Sequence, residues 1–237
     1  DREMTTKLLG FSDLNYNVVH AQMGRGKSEL FLSYALAAIG HTLGKMAMDV
    51  TLYINQNFNF ISFPTELTTG SSIMPHKKNP DFFELIRAKC NKLQALPAEI
   101  SMITGGMPSG YHRDFQLLKE ALFPAIEDVK NCLQIADYAL QQMQIKPNIL
   151  AEEKYKYLYS VEEVNKEVLA GTPFRDAYKK IGLAIDSGNF DPEREVEHTH
   201  LGSVGNLATE QIKAKWERVW EGFDFEKTQE TIDELVA

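Results

Sequence analysis

Between Thr69 and Glu84 the chain reads TGSSIMPHKKNPDFFE, which places a glycine-serine turn, two lysines, an asparagine and a proline-started helix in one short segment. No packing requirement calls for that combination. A loop of this kind can surround a carboxylate: lysine supplies charge, and Asn79 with backbone N–H groups supplies directed hydrogen bonds. A serine of the pair Ser71 and Ser72 can act as a base only where cations and donors lower the pKa of its hydroxyl, and Lys77 is such a cation. The residue types alone leave a plain solvated loop equally open.

A second glycine motif, Gly24-Arg-Gly-Lys-Ser28, resembles the end of a phosphate-binding loop. The first glycine of that pattern is Ala21 here, and the motif needs a parallel sheet that the rest of the chain does not offer. It therefore reads as a tight turn before a helix, from which Arg25 can reach a ligand. The histidines show no metal-ligand spacing, and His198 with His200 is too sparse for a metal site. No metal is expected.

The elements that must position these groups are helices. Leu32, Leu36, Ile39, Leu43, Met46, Val50 and Tyr53 recur at alternating steps of three and four, and the other faces are nearly uncharged, because Lys45 and Asp49 are the only charges between Leu30 and Thr65. A helix so apolar must be surrounded by protein on most sides, which predicts oligomerisation through a bundle. Gly40 and Gly44 would admit a close neighbour. Leu122, Ile126, Val129, Leu133, Ala136, Leu140 and Met143 predict a second long helix, with Pro124 in its first turn or at a kink. A third is expected from Asp81 to Ile103, started by Asn79-Pro80-Asp81 and bent at Pro97. Farther on, Ser160-Val-Glu-Glu163 fits a capping box, Gly171-Thr-Pro173 separates two helices, and Gly205-Asn206 precedes a last one. The fold class is all-α, a long-helix bundle over residues 1–148 with a small helical C-terminal domain over 149–237, joined at the proline and asparagine of Ile145-Lys-Pro-Asn148.

Composition agrees with a globular chain: 237 residues, 43% hydrophobic, 24% charged, with 15 Gly, 9 Pro and 2 Cys, which excludes disordered, collagen-like and disulfide-scaffold classes. Residues 1–150 carry 14 basic and 14 acidic side chains and residues 151–237 carry 11 and 19, so the net charge of −8 belongs to the last third. That balance argues against nucleic-acid binding. Lys77, Lys78, Arg87, Lys89 and Lys92 outnumber Asp81 and Glu84, a local cationic region suited to a small anion or, equally, a solvated helix face. The charge-poor run from Leu30 to Gly44 contains Ser33, His41 and Thr42 and falls short of a membrane span. Cys90 and Cys132 read as buried thiols in a reducing cytoplasm. The first residue is Asp1 rather than Met, which predicts that an upstream segment has been removed.

The segment Gly70-Ser-Ser-Ile-Met-Pro-His-Lys-Lys-Asn79 resembles the signature of the fumarase/aspartase superfamily, whose members eliminate fumarate from succinyl compounds. Lys77-Lys-Asn-Pro-Asp81 with Glu84-Leu-Ile-Arg87, and Pro108-Ser-Gly-Tyr-His-Arg-Asp-Phe-Gln116 with Lys119-Glu120, are most similar to the branch that cleaves argininosuccinate to arginine and fumarate. His76 is nearer the adenylosuccinate branch. Gly171-Thr-Pro-Phe-Arg-Asp176 resembles the small C-terminal domain of the first branch.

The resemblance implies a β-elimination without metal or organic cofactor, in which Ser71, ahead of Ser72, is the base. Lys77 and Asn79 would stabilise the aci-carboxylate that forms. Arg25, Tyr111, Gln116 and Lys119 would hold the substrate, with Arg113 as a secondary candidate, and Glu84 would orient a histidine. It further implies a homotetramer whose active sites collect segments from three subunits. The similarity begins about halfway along a typical member, so the N-terminal domain and the histidine that Glu84 orients would lie upstream of Asp1. Cleavage of adenylosuccinate and a non-catalytic helical scaffold are the alternatives.

Overall fold

The computed structural model describes residues 1–70, 73–74, 78–196 and 198–236. Their helices are α1 (Arg2–Leu8), α2 (Val18–Met23), α3 (Lys27–Tyr53), α4 (Asp81–Leu93), α5 (Leu96–Thr104), α6 (Leu117–Gln141), α7 (Ser160–Leu169), α8 (Phe174–Asp186), α9 (Thr209–Trp220) and α10 (Phe225–Val236). The strands among them, β1 (Ile61–Ser62), β2 (Thr69–Gly70), β3 (Lys78–Asn79) and β4 (Gln144–Ile145), are two residues each. The chain is all-α, as expected. No helix among the described residues is long and apolar enough to cross a membrane.

Contacts divide the chain into Asn15–Pro147 and a unit formed by Asp1–Leu14 with Asn148–Ala237. The first is an up-down-up bundle. Gln94 Nε2 donates to the Ala37 carbonyl at 2.9 Å and Arg87 Nη1 to Thr51 Oγ1 at 3.3 Å, so α4 runs antiparallel to α3 and α5 continues toward the start of α3. Helix α6 returns alongside α3, tied to α4 by the Lys89–Asp128 ion pair. At its far end β4 pairs antiparallel with β1, Ile61 opposite Ile145 and Ser62 opposite Gln144.

The buried seam of α3 differs from the apolar stripe read from sequence. Leu36, Leu43 and Val50 are buried as expected, but their companions are Ser33, Ala37, Gly40, Gly44 and Ala47, while Leu32, Ile39 and Tyr53 are exposed. The seam follows a heptad, and its small members let α4 approach closely. A Cβ on Gly40 would stand 3.1 Å from Leu93 Cδ1 and 3.3 Å from the Cys90 carbonyl oxygen, and one on Gly44 would stand 3.2 Å from Cys90 Cβ. Gly40→Val is therefore expected to destabilise the bundle by about 1–3 kcal/mol through overpacking, more than the roughly 0.5 kcal/mol gained in helix propensity. Urea unfolding with an unchanged midpoint would contradict the close approach.

Helix α6 buries Leu118, Leu122, Ala125, Val129, Cys132, Ala136 and Ala139, so Leu122, Val129 and Ala136 of the expected stripe lie inside and Leu133 does not. Pro124 sits inside α6, not in its first turn. The single helix expected from Asp81 to Ile103 is two: α4 ends at Leu93, and Pro97 occupies the second position of α5, where a missing N–H costs no hydrogen bond. Cys90 and Cys132 are free and buried in the seam. Burial pushes the Cys90 thiol up from 9.0 to about 11 and raises that of Cys132.

In the other unit Asp1 caps α1, its carboxylate accepting from the Met4 N–H at 3.0 Å. Residues 1–14, assigned to the bundle from sequence, group here instead: Thr231 Oγ1 of α10 donates to the Leu8 carbonyl at 2.9 Å. Gly171, at φ +98°, separates α7 from α8 as anticipated. The capping box at Ser160 does not form, because a 3-10 turn over Glu153–Tyr159 runs directly into α7 and Ser160 is already helical, at φ −61° and ψ −34°. The last helical stretch is a pair, α9 and α10.

Candidate active site

The chemistry-bearing segment is framed by a short ribbon. β2 and β3 pair antiparallel, Thr69 opposite Asn79 and Gly70 opposite Lys78. Thr69 Oγ1 donates to the Asp81 carboxylate, and Lys78 Nζ donates to Thr65 Oγ1 at 3.2 Å. Buried Pro80 precedes α4, so the helix starts where the ribbon ends. Ser71, Ser72, His76 and Lys77 lie outside the described residues.

Beside the ribbon is an open cleft of about 550 Å³. Asn79 and Glu84 both line it, Asn79 half-buried and Glu84 exposed on the first turn of α4. Lys78, Thr51, Ser62 and the amides Asn55, Gln56 and Asn59 complete its polar wall. These amides were not singled out from sequence, although the run Asn55-Gln-Asn-Phe-Asn59 directly after an apolar helix is a visible signal. Asn55 also ends α3: its Oδ1 accepts from the Asn57 N–H at 2.9 Å and the Phe58 N–H at 3.2 Å, a side-chain turn that swings the chain toward β1. A cation and several amides in the lining, beside the single carboxylate of Glu84, suit a carboxylate ligand. No histidine lines the cleft among the described residues.

A second cluster stands at the start of α3. Arg25 Cζ lies 5.8 Å from the centroid of the Tyr111 ring and 5.7 Å from that of Phe115. Such contacts attract a guanidinium to the ring faces. Residues Arg113–Gln116 form a 3-10 turn that leads into α6, with Gln116 immediately before the helix and Lys119 in its first turn. Tyr111, Arg113, Gln116 and Lys119 are all exposed. Gly26, rather than a nucleotide-binding loop, defines the preceding turn: it adopts φ +90° and caps α3.

The structure thus lines one cleft with Asn79 and Glu84 and brings Arg25 to Tyr111, with Gln116 and Lys119 following Phe115 in sequence, but leaves the two groups apart. The 27 residues of α3 span roughly 40 Å at 1.5 Å per residue, with one cluster at each end. One copy of the bundle does not assemble both around one small molecule.

Residues 5–95 match the protein-family model described as a lyase. Over all 237 residues it is 53% identical to the argininosuccinate lyase of Bacteroides fragilis, covering 53% of that protein. It is 54% identical over the same span to the argininosuccinate lyase of Phocaeicola vulgatus, again 53% of its length. The chain therefore spans about half the length of the curated relatives it matches. Among solved structures, the fumarate lyase:delta crystallin of Brucella melitensis superposes with a TM-score of 0.60 at 16% identity, covering 96% of this chain and 46% of that one, a likeness of fold.

Proposed function

We propose that this chain is the part of an argininosuccinate lyase that carries the signature loop, and that the protein it serves splits argininosuccinate into arginine and fumarate. The carrying observation is identity above 50% to argininosuccinate lyases over the entire chain, together with a cleft whose Asn79, Lys78 and amide side chains suit a carboxylate.

In this reading Ser71 removes a proton from the substrate carbon beside a carboxylate. The electron pair spreads into that carboxylate, and Lys77 with Asn79 stabilises the added charge more strongly than in the ground state. Collapse of the aci-carboxylate breaks the carbon–nitrogen bond, forms the fumarate double bond and releases the guanidino nitrogen of arginine, which takes up a proton. Arg25, Tyr111, Gln116 and Lys119 hold the substrate, and Glu84 orients a histidine supplied from outside this chain. Nothing in these steps calls for a metal or organic cofactor.

The two clusters are then halves of different active sites. A homo-oligomer, with four copies as the proposed number, would set the loop end of one bundle against the Arg25 end of another. Phe31, Tyr34, Ile39 and Met48 on α3 and Phe123, Ile135 and Tyr138 on α6 are exposed in the single chain, which supports burial between copies. The proposed setting is the cytoplasm.

The test is fumarate release, followed by ultraviolet absorbance, from the protein completed to the length of its relatives and offered argininosuccinate and adenylosuccinate in parallel. Turnover of argininosuccinate alone is the expected result. Turnover of adenylosuccinate instead would replace the substrate, and silence with both would favour a scaffold.

A further inference from the structure

The turn Gly24-Arg-Gly-Lys-Ser28 is built more carefully than a connection between helices requires. Gly26 is buried at φ +90°, and a Cβ there would come within 2.5 Å of Thr104 Cγ2, so no other residue fits. Its N–H donates to Glu29 Oε2 at 3.0 Å. The other oxygen of the same carboxylate, Oε1, lies 4.0 Å from Arg25 Nε. Arg25 in turn stands over the rings of Tyr111 and Phe115.

From this geometry we infer that Glu29 is a positioning residue: one oxygen anchors the turn while the other holds Arg25 over Tyr111 and Phe115, presenting the guanidinium to a substrate carboxylate. Of the guanidinium nitrogens it is Nε that faces Glu29, at 4.0 Å. That leaves the two Nη groups for the parallel hydrogen bonds by which a guanidinium recognises a carboxylate. The inference rests on the reading that Arg25 and Tyr111 bind substrate, and it adds a residue that touches neither substrate nor reacting atoms.

A purely structural role makes a different prediction. An acid in the first turn stabilises a helix through the dipole and through the Gly26 N–H, whatever Arg25 does. Glu29→Gln separates the two roles, because its amide oxygen still reaches the Gly26 N–H while the charge opposite Arg25 is gone. In the protein completed to the length of its relatives, Glu29→Gln is expected to keep its melting temperature. Its KM for argininosuccinate should rise roughly two- to fivefold, as loss of a partly exposed ion pair allows, with the effect on KM rather than kcat. Arg25→Ala should raise KM by about tenfold or more, as loss of a charge-assisted hydrogen bond does. The double variant should be no worse than Arg25→Ala alone, since Glu29 acts only through Arg25.

An unchanged or lowered KM in Glu29→Gln, beside a raised KM in Arg25→Ala, would overturn the positioning role and leave the binding site standing. Additive effects in the double variant would overturn it as well. An unchanged KM in Arg25→Ala would remove the binding role of Arg25 and the inference with it.

Discussion

Ser71→Ala, in the protein completed to the length of its relatives, is expected to lower kcat by ~10²–10⁴-fold, the usual contribution of a positioned general base. Substrate binding should hardly change. The substitution removes one oxygen, and the described bonds that frame the segment, the β2–β3 pairs at Thr69 and Gly70 and the bond from Thr69 to Asp81, are made by other residues. Single-turnover kinetics would report the chemical step, with circular dichroism and size-exclusion chromatography as controls for folding and assembly. A variant that kept its kcat would move the base elsewhere, with Ser72 next to be tested.

Two inactive variants should restore one another. Under the proposed function Lys77→Ala damages the loop half of the site and Lys119→Ala the substrate-holding half, and in a single copy Asn79 and Arg25, which mark these halves, lie toward opposite ends of a helix roughly 40 Å long. If one active site draws its halves from different copies, a mixed assembly contains some sites in which both halves are undamaged. Co-expression is therefore expected to recover fumarate release that neither variant shows when purified alone, at Lys77 and Lys119 unaltered in those sites. No recovery in assemblies verified as mixed would mean that both halves come from the same chain.

The long helices were legible because leucine, isoleucine and valine report burial through their spacing. The face they bury was only half legible. Leu36, Leu43 and Val50 announce themselves, whereas Ser33, Gly40 and Ala47 carry little hydrophobic signal and are buried for their small size. Steric fit against Cys90 and Leu93 is a property of the pair of helices, so α3 alone does not disclose it. Pro97 was read as a bend and marks a new helix; both follow from its missing N–H, and only the course of the chain at Leu93–Leu96 distinguishes them. Ser160 has the right neighbours for a cap, but the preceding turn takes the position a cap would need.

The candidate residues were legible as a set and illegible as an arrangement. Residue types marked the segment from Thr69 to Glu84, and family resemblance extended it to Arg25, Tyr111, Gln116 and Lys119. That Asn79 and Arg25 lie far apart depends on α3 running up, α4 and α5 down and α6 up again, a tertiary fact. The amides after α3 carry no chemistry-bearing pattern by type alone, and the role of Asn55 in turning the chain toward the cleft appears only with the backbone in place.

The seam of α3 also bears on how the chain is made. Helix α3 is complete at Tyr53, but its partner α4 is not complete until Leu93, about 40 residues later. At ~5–20 residues per second of synthesis that interval lasts about 2–8 s. For that time α3 exists without the helix that fills its seam. Ser33, Gly40 and Ala47, spaced one heptad apart, form the line of small residues against which α4 then closes.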